Sequence, residues 1–454
     1  MGYQMQKTSG IKLPKLNSLR IIALSFLLVI LIGALLLSLP FSSKSGTFTN
    51  FLDCVFTATS ATCVTGLVVF DTFTQWTIFG QCIILLLIQI GGLGFMTLLT
   101  ILMVFAKRHV TLHEMRLLTQ SAGSVRKDGI FTLVRSILFG TLIVESIGAV
   151  ILSFVFCPDM GLGQGIYFAV FHSVSAFCNA GFDLLGYRAP FSSLTSYSSN
   201  ITLNITISAL IIVGGIGFYV WDDLIRCRFK FRKLELHSKA VLIMTLSLIL
   251  SGWLLFFATE YNHALADRSI GEKLLASFFQ SVTTRTAGFD SITQANLSDS
   301  GILLSVFLML IGGSPGSTAG GIKTTTMAVI ILSTIACARG HNNTVIFKRR
   351  IEPSTVRQAH TTAAVYLFMA IASVMLICAI DGVALRDCVF EVASAIGTVG
   401  LTTGITPSLS AASHFILILL MYAGRLGAMS LMLVFANKES NVPLERPYGK
   451  IIIG

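Results

Sequence analysis

Four short glycine loops hold the residues with which this chain could do chemistry. They read Thr62-Cys63-Val64-Thr65-Gly66-Leu67, Phe177-Cys178-Asn179-Ala180-Gly181-Phe182, Arg285-Thr286-Ala287-Gly288-Phe289 and Gly397-Thr398-Val399-Gly400-Leu401. Their glycines recur roughly 110 residues apart, a fixed period that marks one structural unit used four times. Glycine tolerates the dihedrals that aim successive carbonyls at one axis, and its missing side chain leaves room for an ion. Four such loops inside a membrane predict a single ring of backbone carbonyls, able to replace the water shell of an alkali cation. Cys63, Val64, Thr65 and Gly66 would supply the first quarter of that ring, and Cys178, Asn179, Ala180 and Gly181 the second. Thr286, Ala287 and Gly288 would supply the third, and Thr398, Val399 and Gly400 the fourth. Val64, Asn179, Thr286 and Thr398 each stand two residues before their glycine. Apolar side chains in the loops are expected to turn outward and leave the carbonyls on the axis.

Such a ring needs a scaffold at membrane depth, and the composition provides one. Of 454 residues, 54% are apolar and only 12% charged, about half the charged fraction of a soluble chain. An all-α polytopic membrane protein follows. Each quarter has the same order: a long apolar helix, a short apolar segment, the glycine loop, then a second long helix. The first helices are expected near 20–40, 131–156, 239–259 and 359–380, and the second near 77–106, 200–224, 301–336 and 412–436. The short segments, near 50–61, 164–176, 270–283 and 386–396, cannot reach across a bilayer. They read as re-entrant half-helices buried in protein. The expected architecture is eight spanning helices and four pore helices around one central pore.

The boundaries that follow are a cytoplasmic N-terminus 1–19, repeats 20–106, 131–225, 239–338 and 359–436, connecting loops 107–130, 226–238 and 339–358, and a tail 437–454. Lys7, Lys12, Lys15 and Arg20 precede the apolar run from Ile21 to Leu39, which reads as a retained first helix. The net charge of +11 sits largely in the connecting loops, so a nucleic-acid partner is not expected. Lys107, Arg108, Arg116, Arg126 and Lys127 follow repeat one. Arg226, Arg228, Lys230, Arg232, Lys233 and Lys239 follow repeat two, and Arg339, Lys348, Arg349, Arg350 and Arg357 follow repeat three. The positive-inside bias makes these loops and both termini cytoplasmic. Asp53, Asp71, Asp159, Asp183, Glu260, Asp267 and Asp290 then lie on the outer side, as solvated loop residues or as acids that concentrate cations near a mouth. Nine cysteines form no CxxC pair and no metal-ligand spacing, and are expected to be small apolar residues of buried surroundings.

A second motif runs in register with the first. The inner helices carry Gly91-Gly92-Leu93-Gly94, Gly214-Gly215-Ile216-Gly217, Gly312-Gly313-Ser314-Pro315-Gly316 and Gly424-Arg425-Leu426-Gly427. In repeats one and two these glycines are expected to let helices pack closely. Repeat three is different. The run Gly312, Gly313, Ser314, Pro315, Gly316, Ser317, Thr318, Ala319, Gly320 and Gly321 cannot continue a helix, because glycine and proline remove its stability. It is expected to be an irregular loop at mid-membrane just below the ring, a plug in the ion path or a simple break that accommodates packing. Arg425 is a charge inside the apolar stretch 415–435, costing at least about 2.5–3.5 kcal/mol unless it faces water or a partner. It would hold the plug through the loop's carbonyls, or pair with an acid for assembly. Glu145 is the other charge in the middle of a helix, open to structural pairing or functional use. Lys323 is expected to extend toward the cytoplasm rather than enter the pore.

On these residues the chain resembles the membrane subunit (KtrB-type) of bacterial Ktr/Trk-type potassium uptake systems, of the superfamily that includes the plant high-affinity potassium transporters. The motifs that carry the resemblance are Thr65-Gly66-Leu67, Asn179-Ala180-Gly181-Phe182, Arg285-Thr286-Ala287-Gly288-Phe289, Thr398-Val399-Gly400-Leu401, Gly320-Gly321-Ile322-Lys323-Thr324 and Gly424-Arg425. The lack of an extra N-terminal hairpin favours the Ktr branch. The resemblance implies K+ as substrate at the carbonyls of Gly66, Gly181, Gly288 and Gly400, and a gate formed by residues 312–321 with Lys323 and Arg425. It also implies Na+ as activator or coupling ion, no covalent cofactor, a homodimer in membrane lipid, and a cytoplasmic ring of nucleotide-binding RCK-type regulatory subunits. Cys63 and Cys178 depart from the small or hydroxyl residue expected in those loops.

Two other classes remain to be separated. An alternating-access cation symporter would also use broken helices, but it is built on inverted repeats, whereas each unit here has two spanning helices and every connecting loop is basic. A membrane-embedded enzyme would need convergent side-chain chemistry, for which only His172 and Glu145 are at hand.

Overall fold

The computed structural model describes residues 18–94, 130–341 and 343–427. The expectations for residues 1–17, 95–129 and 428–454 lie outside them, including most of loop 107–130 and the C-terminal tail. Among the described residues four helices are each long and apolar enough to cross a membrane: α1 (Ser18–Ser38), α4 (Ile130–Met160), α8 (Leu236–Glu260) and α12 (Pro353–Asp381). Each leads into a short helix of 12 to 16 residues: α2 (Phe51–Thr62), α5 (Leu162–Phe177), α9 (Ile270–Thr283) and α13 (Leu385–Gly397). At 1.5 Å per residue none of these reaches across about 30 Å of hydrocarbon.

The inner helices are α3 (Ile78–Leu93), α6 (Ile201–Ile216), α10 (Asp299–Leu310) and α14 (Ala411–Leu426). Each starts at a polar cap. The side chains of Thr77, Asn200, Ser298 and Ser410 accept from the backbone N–H three residues on, satisfying one orphan donor per helix. All four end at the second glycine motif. Gly94, Gly217 and Gly427 take φ of +82°, +100° and +85°, in the region that favours glycine. The inner helix expected over 200–224 is therefore not continuous. It turns through 90° at Gly217 into α7 (Phe218–Arg226). The close-packing role expected of these glycines also holds: a Cβ at Gly91 or Gly214 would overlap the Thr62 or Phe177 carbonyl at the end of the same repeat's short helix. In repeat three the chain leaves α10, crosses the irregular segment 312–321 and resumes as α11 (Thr324–Ala338).

Packing closes the four units into a circle. The short helix α2 packs on α14 of repeat four, α5 on α3 of repeat one, α9 on α6 of repeat two and α13 on α10 of repeat three. Each short helix also lies against the long helix that precedes it. The outward faces of the long helices stay apolar and exposed, with Leu28 and Leu35 on α1, Phe154 on α4, Leu254 on α8 and Phe368 on α12. A band of this kind suits lipid, and with the apolar spans it makes the chain a multi-pass membrane protein. Segment 339–358 is not a plain loop: β1 (Val345–Ile346) and β2 (Arg349–Arg350) form a hairpin. All nine cysteines are unpaired. Cys54, Cys63, Cys178 and Cys388 are buried as expected, but Cys82 and Cys337 are exposed, which an apolar thiol tolerates on such a surface.

Candidate functional site

The short helices deliver the four glycine loops to one place. In loops one, two and four the helix ends in the same pair of bonds. Thr65 N–H donates to Ser60 O at 2.8 Å and Val64 N–H to Ala61 O at 3.2 Å. Ala180 and Asn179 repeat this on Ser175 (2.8 Å) and Ala176 (3.1 Å), and Val399 and Thr398 on Ser394 (2.8 Å) and Ala395 (3.1 Å). This is a Schellman ending, whose left-handed position usually belongs to glycine. Here it is held by Val64 (φ +57°), Asn179 (+59°) and Thr398 (+52°), with Thr286 (+74°) in loop three. Each costs about 1–2 kcal/mol. The side chains are buried, so the peptide is fixed where a glycine would let it swing. Gly66, Gly181, Gly288 and Gly400 follow at φ +100°, +70°, +81° and +95°. The residue after each glycine, Leu67, Phe182, Phe289 or Leu401, is at most 1% exposed. Burying such a side chain contributes about 1.5–3 kcal/mol and anchors the loop from outside.

The glycines touch in cyclic order. A Cβ built on Gly66 would lie 2.6 Å from Ala180 O, and one on Gly181 2.8 Å from Ala287 O. One on Gly288 would overlap Val399 O, and one on Gly400 would overlap Thr65 O. Loop one thus abuts loop two, two abuts three, three abuts four, and four returns to one. The Asn179 side-chain amide and the Thr286 hydroxyl are hydrogen-bonded at 3.2 Å, the amide oxygen accepting from Thr286 Oγ1 while the amide nitrogen donates to Ala176 O and Ile211 O, and this ties loops two and three directly. The C-terminal ends of all four short helices meet at this ring, and their dipoles favour a cation there. Among the described residues no group of three or more His, Cys, Asp or Glu is placed to hold a metal ion. The chemistry on offer is that of carbonyl oxygens.

Segment 312–321 lies against the ring. A Cβ at Gly320 would overlap the Thr398 side chain, and Gly321 sits against Gly397 O. The segment is fastened at several points: Gly312 N–H to Ile322 O (2.9 Å), Ser314 N–H to Gly215 O (3.0 Å), and Thr318 Oγ1 to Phe177 O (3.2 Å). Arg425 donates to Thr318 O on the segment and to Gly91 O, with a further contact to Gly92 O at 3.3 Å. One guanidinium joins repeats one, three and four. An acid partner for Arg425 is absent among the described residues. Lys323 departs from the sequence expectation. Its Nζ folds back to donate to Ala319 O at 2.7 Å, within the irregular segment, rather than extending to the cytoplasm.

Other residues around the ring escaped the sequence reading. A hydroxyl five or six residues before each glycine braces its loop. Ser60 and Ser394 accept from Gly66 N–H and Gly400 N–H, both at 3.0 Å, while Ser175 and Thr283 donate to Phe182 O and Phe289 O, both at 2.7 Å. Their recurrence at matching positions was the available signal. Glu391, fully buried on α13, accepts from Thr402 (2.7 Å) and Thr406 just beyond loop four. Glu145 is paired: Gln89 Nε2 donates to its carboxylate at 3.1 Å, and Cys178 Sγ approaches Gln89 Oε1 at 3.5 Å. His172 is also in the wall, with Nε2 accepting from Leu184 N–H at 3.4 Å. Of the outer acids, Asp71 and Glu260 are not solvated loop residues. Both are buried, and they accept from Thr74 and Phe191 N–H and from Ser298, respectively. Asp183 and Asp290, just past loops two and three, are half-buried. Burial pushes the Asp183 carboxyl up to about 7, against the Leu185 N–H bond that lowers it, and raises that of Asp290 well above the carboxylate range.

Comparison with known proteins agrees with this architecture. The family model described as TrkH, cation transport protein, matches residues 5–443. The potassium/sodium uptake protein NtpJ of Enterococcus hirae is 41% identical over 449 residues, covering 97% of this chain and 98% of its own. The Ktr system potassium uptake protein B of Bacillus subtilis is 38% identical, covering 99% and 100%. The crystal structure of the potassium transporter TrkH from Vibrio parahaemolyticus superposes with a TM-score of 0.72 at 18% identity, over 95% of this chain and 87% of that one, and shares its fold. The chain belongs to the TrkH family of cation transport proteins.

Proposed function

We propose that this protein is the potassium-translocating, pore-forming subunit of a Ktr-type uptake system. The observation that carries the reading is the closed ring in which Gly66, Gly181, Gly288 and Gly400 touch in cyclic order. A ring of carbonyls at the negative poles of four helices suits a monovalent cation stripped of water and needs no side-chain charge. The names of the E. hirae and B. subtilis relatives supply potassium as the ion. Segment 312–321 is the gate, and Arg425 latches it through Thr318 O. Sodium stimulates uptake, as activator or coupling ion, a reading supported by the potassium/sodium name of the E. hirae relative. The protein works as a homodimer in the bacterial inner membrane with both termini cytoplasmic. It docks on an RCK-type, nucleotide-binding regulatory ring through its basic connecting loops, a reading supported by the word "system" in the B. subtilis relative's name.

The test is rubidium uptake by cells lacking their own potassium systems, with and without a regulatory subunit. Saturable uptake that K+ competes for, and that Gly288→Ser weakens, is expected. Uptake indifferent to Gly288→Ser, with the variant present in the membrane at normal amount, overturns the reading.

A further inference from the structure

Arg285 lies just past the end of the third short helix, and no other repeat has a charged residue at that place. It stands three residues before Gly288, where the other loops have Cys63, Cys178 and Gly397. Its side chain is only 8% exposed. Among the described residues its guanidinium has no carboxylate within ion-pair distance, and its buried Nε has no hydrogen-bond acceptor. It lines a cavity of about 10 Å³, room for roughly one water, between Asn179 of loop two, Gly215 on α6, Gly313 of the segment below the ring, and Thr245 on α8. The Thr245 hydroxyl in that cavity is unpartnered too.

A buried charge without a counter-ion is strongly unfavourable. What favours it here is the negative pole of α9, which ends at Thr283 two residues before it, and the same helix end would draw a cation onto the ring. The guanidinium and the permeating ion therefore compete for one source of potential. Conduction needs binding weak enough for the ion to leave, and a fixed positive charge between the ring and the segment below it acts in that direction.

We propose that Arg285 is an affinity-setting residue of the ring: a built-in counter-cation that weakens ion binding at the inner end and speeds release. The proposal rests on the ring being the ion filter. Removing the charge should tighten binding. For scale, two unit charges roughly 10 Å from one another at an effective dielectric of about 20 interact by the equivalent of roughly a ten- to twentyfold change in binding, and the change expected here is of that order.

The experiment compares rubidium uptake kinetics of the full chain and its variants in cells lacking other potassium systems, with membrane content measured for each. Arg285→Met is expected to lower KM roughly tenfold while the maximal rate falls, and Arg285→Lys to stay within about twofold of the parent KM. Thr245→Asp places a carboxylate in the same cavity with Arg285 untouched, and should lower KM in the same direction. This second variant decides the matter should Arg285→Met fail to reach the membrane. A purely structural role for Arg285 changes protein content and maximal rate but leaves KM alone. An unchanged or raised KM in the neutralised variants, or a lysine variant that behaves like methionine, overturns the proposal. Gly288→Ser is run alongside. If it alters KM while the Arg285 variants do not, only this proposal fails; if it alters nothing, the filter reading and the proposal fall together.

Discussion

Replacing Gly288 with alanine strains the ring where loop three meets loop four. The residue has φ +81°, and a Cβ there would overlap Val399 O while lying 3.2 Å from Gly181 Cα and 3.3 Å from Gly400 Cα. Two costs are involved, and a second glycine separates them. Gly161 has φ +82° with nothing within 4 Å of a built Cβ, so Gly161→Ala carries only the left-handed penalty of about 1–2 kcal/mol. Gly288→Ala carries that penalty and must also push the Val399 carbonyl off its position. One carbonyl lost to a bound cation is comparable to one hydrogen bond to a charged group, about 1.5–3 kcal/mol, or roughly ten- to a hundredfold in apparent affinity. The assay is rubidium uptake with potassium and sodium as competitors, together with thermal unfolding of both variants in detergent. Gly288→Ala should raise KM by at least about tenfold and narrow the preference for potassium over sodium. Gly161→Ala should lower only the melting temperature. Equal transport kinetics in the two variants would refute the reasoning.

Three further outcomes are expected. Arg425→Gln removes the donor to Thr318 O and Gly91 O, so uptake should rise severalfold and lose its dependence on the regulatory subunit; a transport-dead variant that inserts normally contradicts the latch. Ser60→Ala and Ser394→Ala orphan the buried N–H of Gly66 and Gly400, each costing about 1–3 kcal/mol, and should lower both the melting temperature and the preference for potassium over sodium. The Asp183 carboxyl, raised to about 7 from 3.8, is protonated in the folded state over a range where the unfolded chain ionises it. The stability it contributes is complete below about pH 4 and is lost as pH rises through about 7. Melting temperature should therefore fall between pH 5 and pH 8, and Asp183→Asn should remove most of that fall.

The parts of the site that could be read from sequence are those for which one residue type has no substitute. A ring closed by backbone contact needs glycine at Gly66, Gly181, Gly288 and Gly400, so the repeat was visible. The proline and glycines of 312–321 could not be helical, so the break in repeat three was visible as well. Other features have two readings at the sequence level. The glycines of the second motif can serve close packing or end a helix, and only the packed structure shows that Gly91 and Gly214 do the first while Gly94, Gly217 and Gly427 do the second. The hydroxyls of Ser60, Ser175, Thr283 and Ser394 look like any small polar residue of a membrane helix until their loop partners are in place. Lys323 had a route to the cytoplasm by length alone, and it takes the nearer Ala319 carbonyl instead. Asp71 and Glu260 gave no hint that backbone donors distant in sequence would bury them.

The central claim is that four quarters of one chain place their loop carbonyls around a common ion. Diffraction from crystals of the protein grown in rubidium salt, at the rubidium absorption edge, tests it directly. Anomalous density is expected on the axis between Gly66, Gly181, Gly288 and Gly400, in direct coordination with oxygens from all four loops. Rubidium bound elsewhere, or touching fewer than four loops, would contradict it.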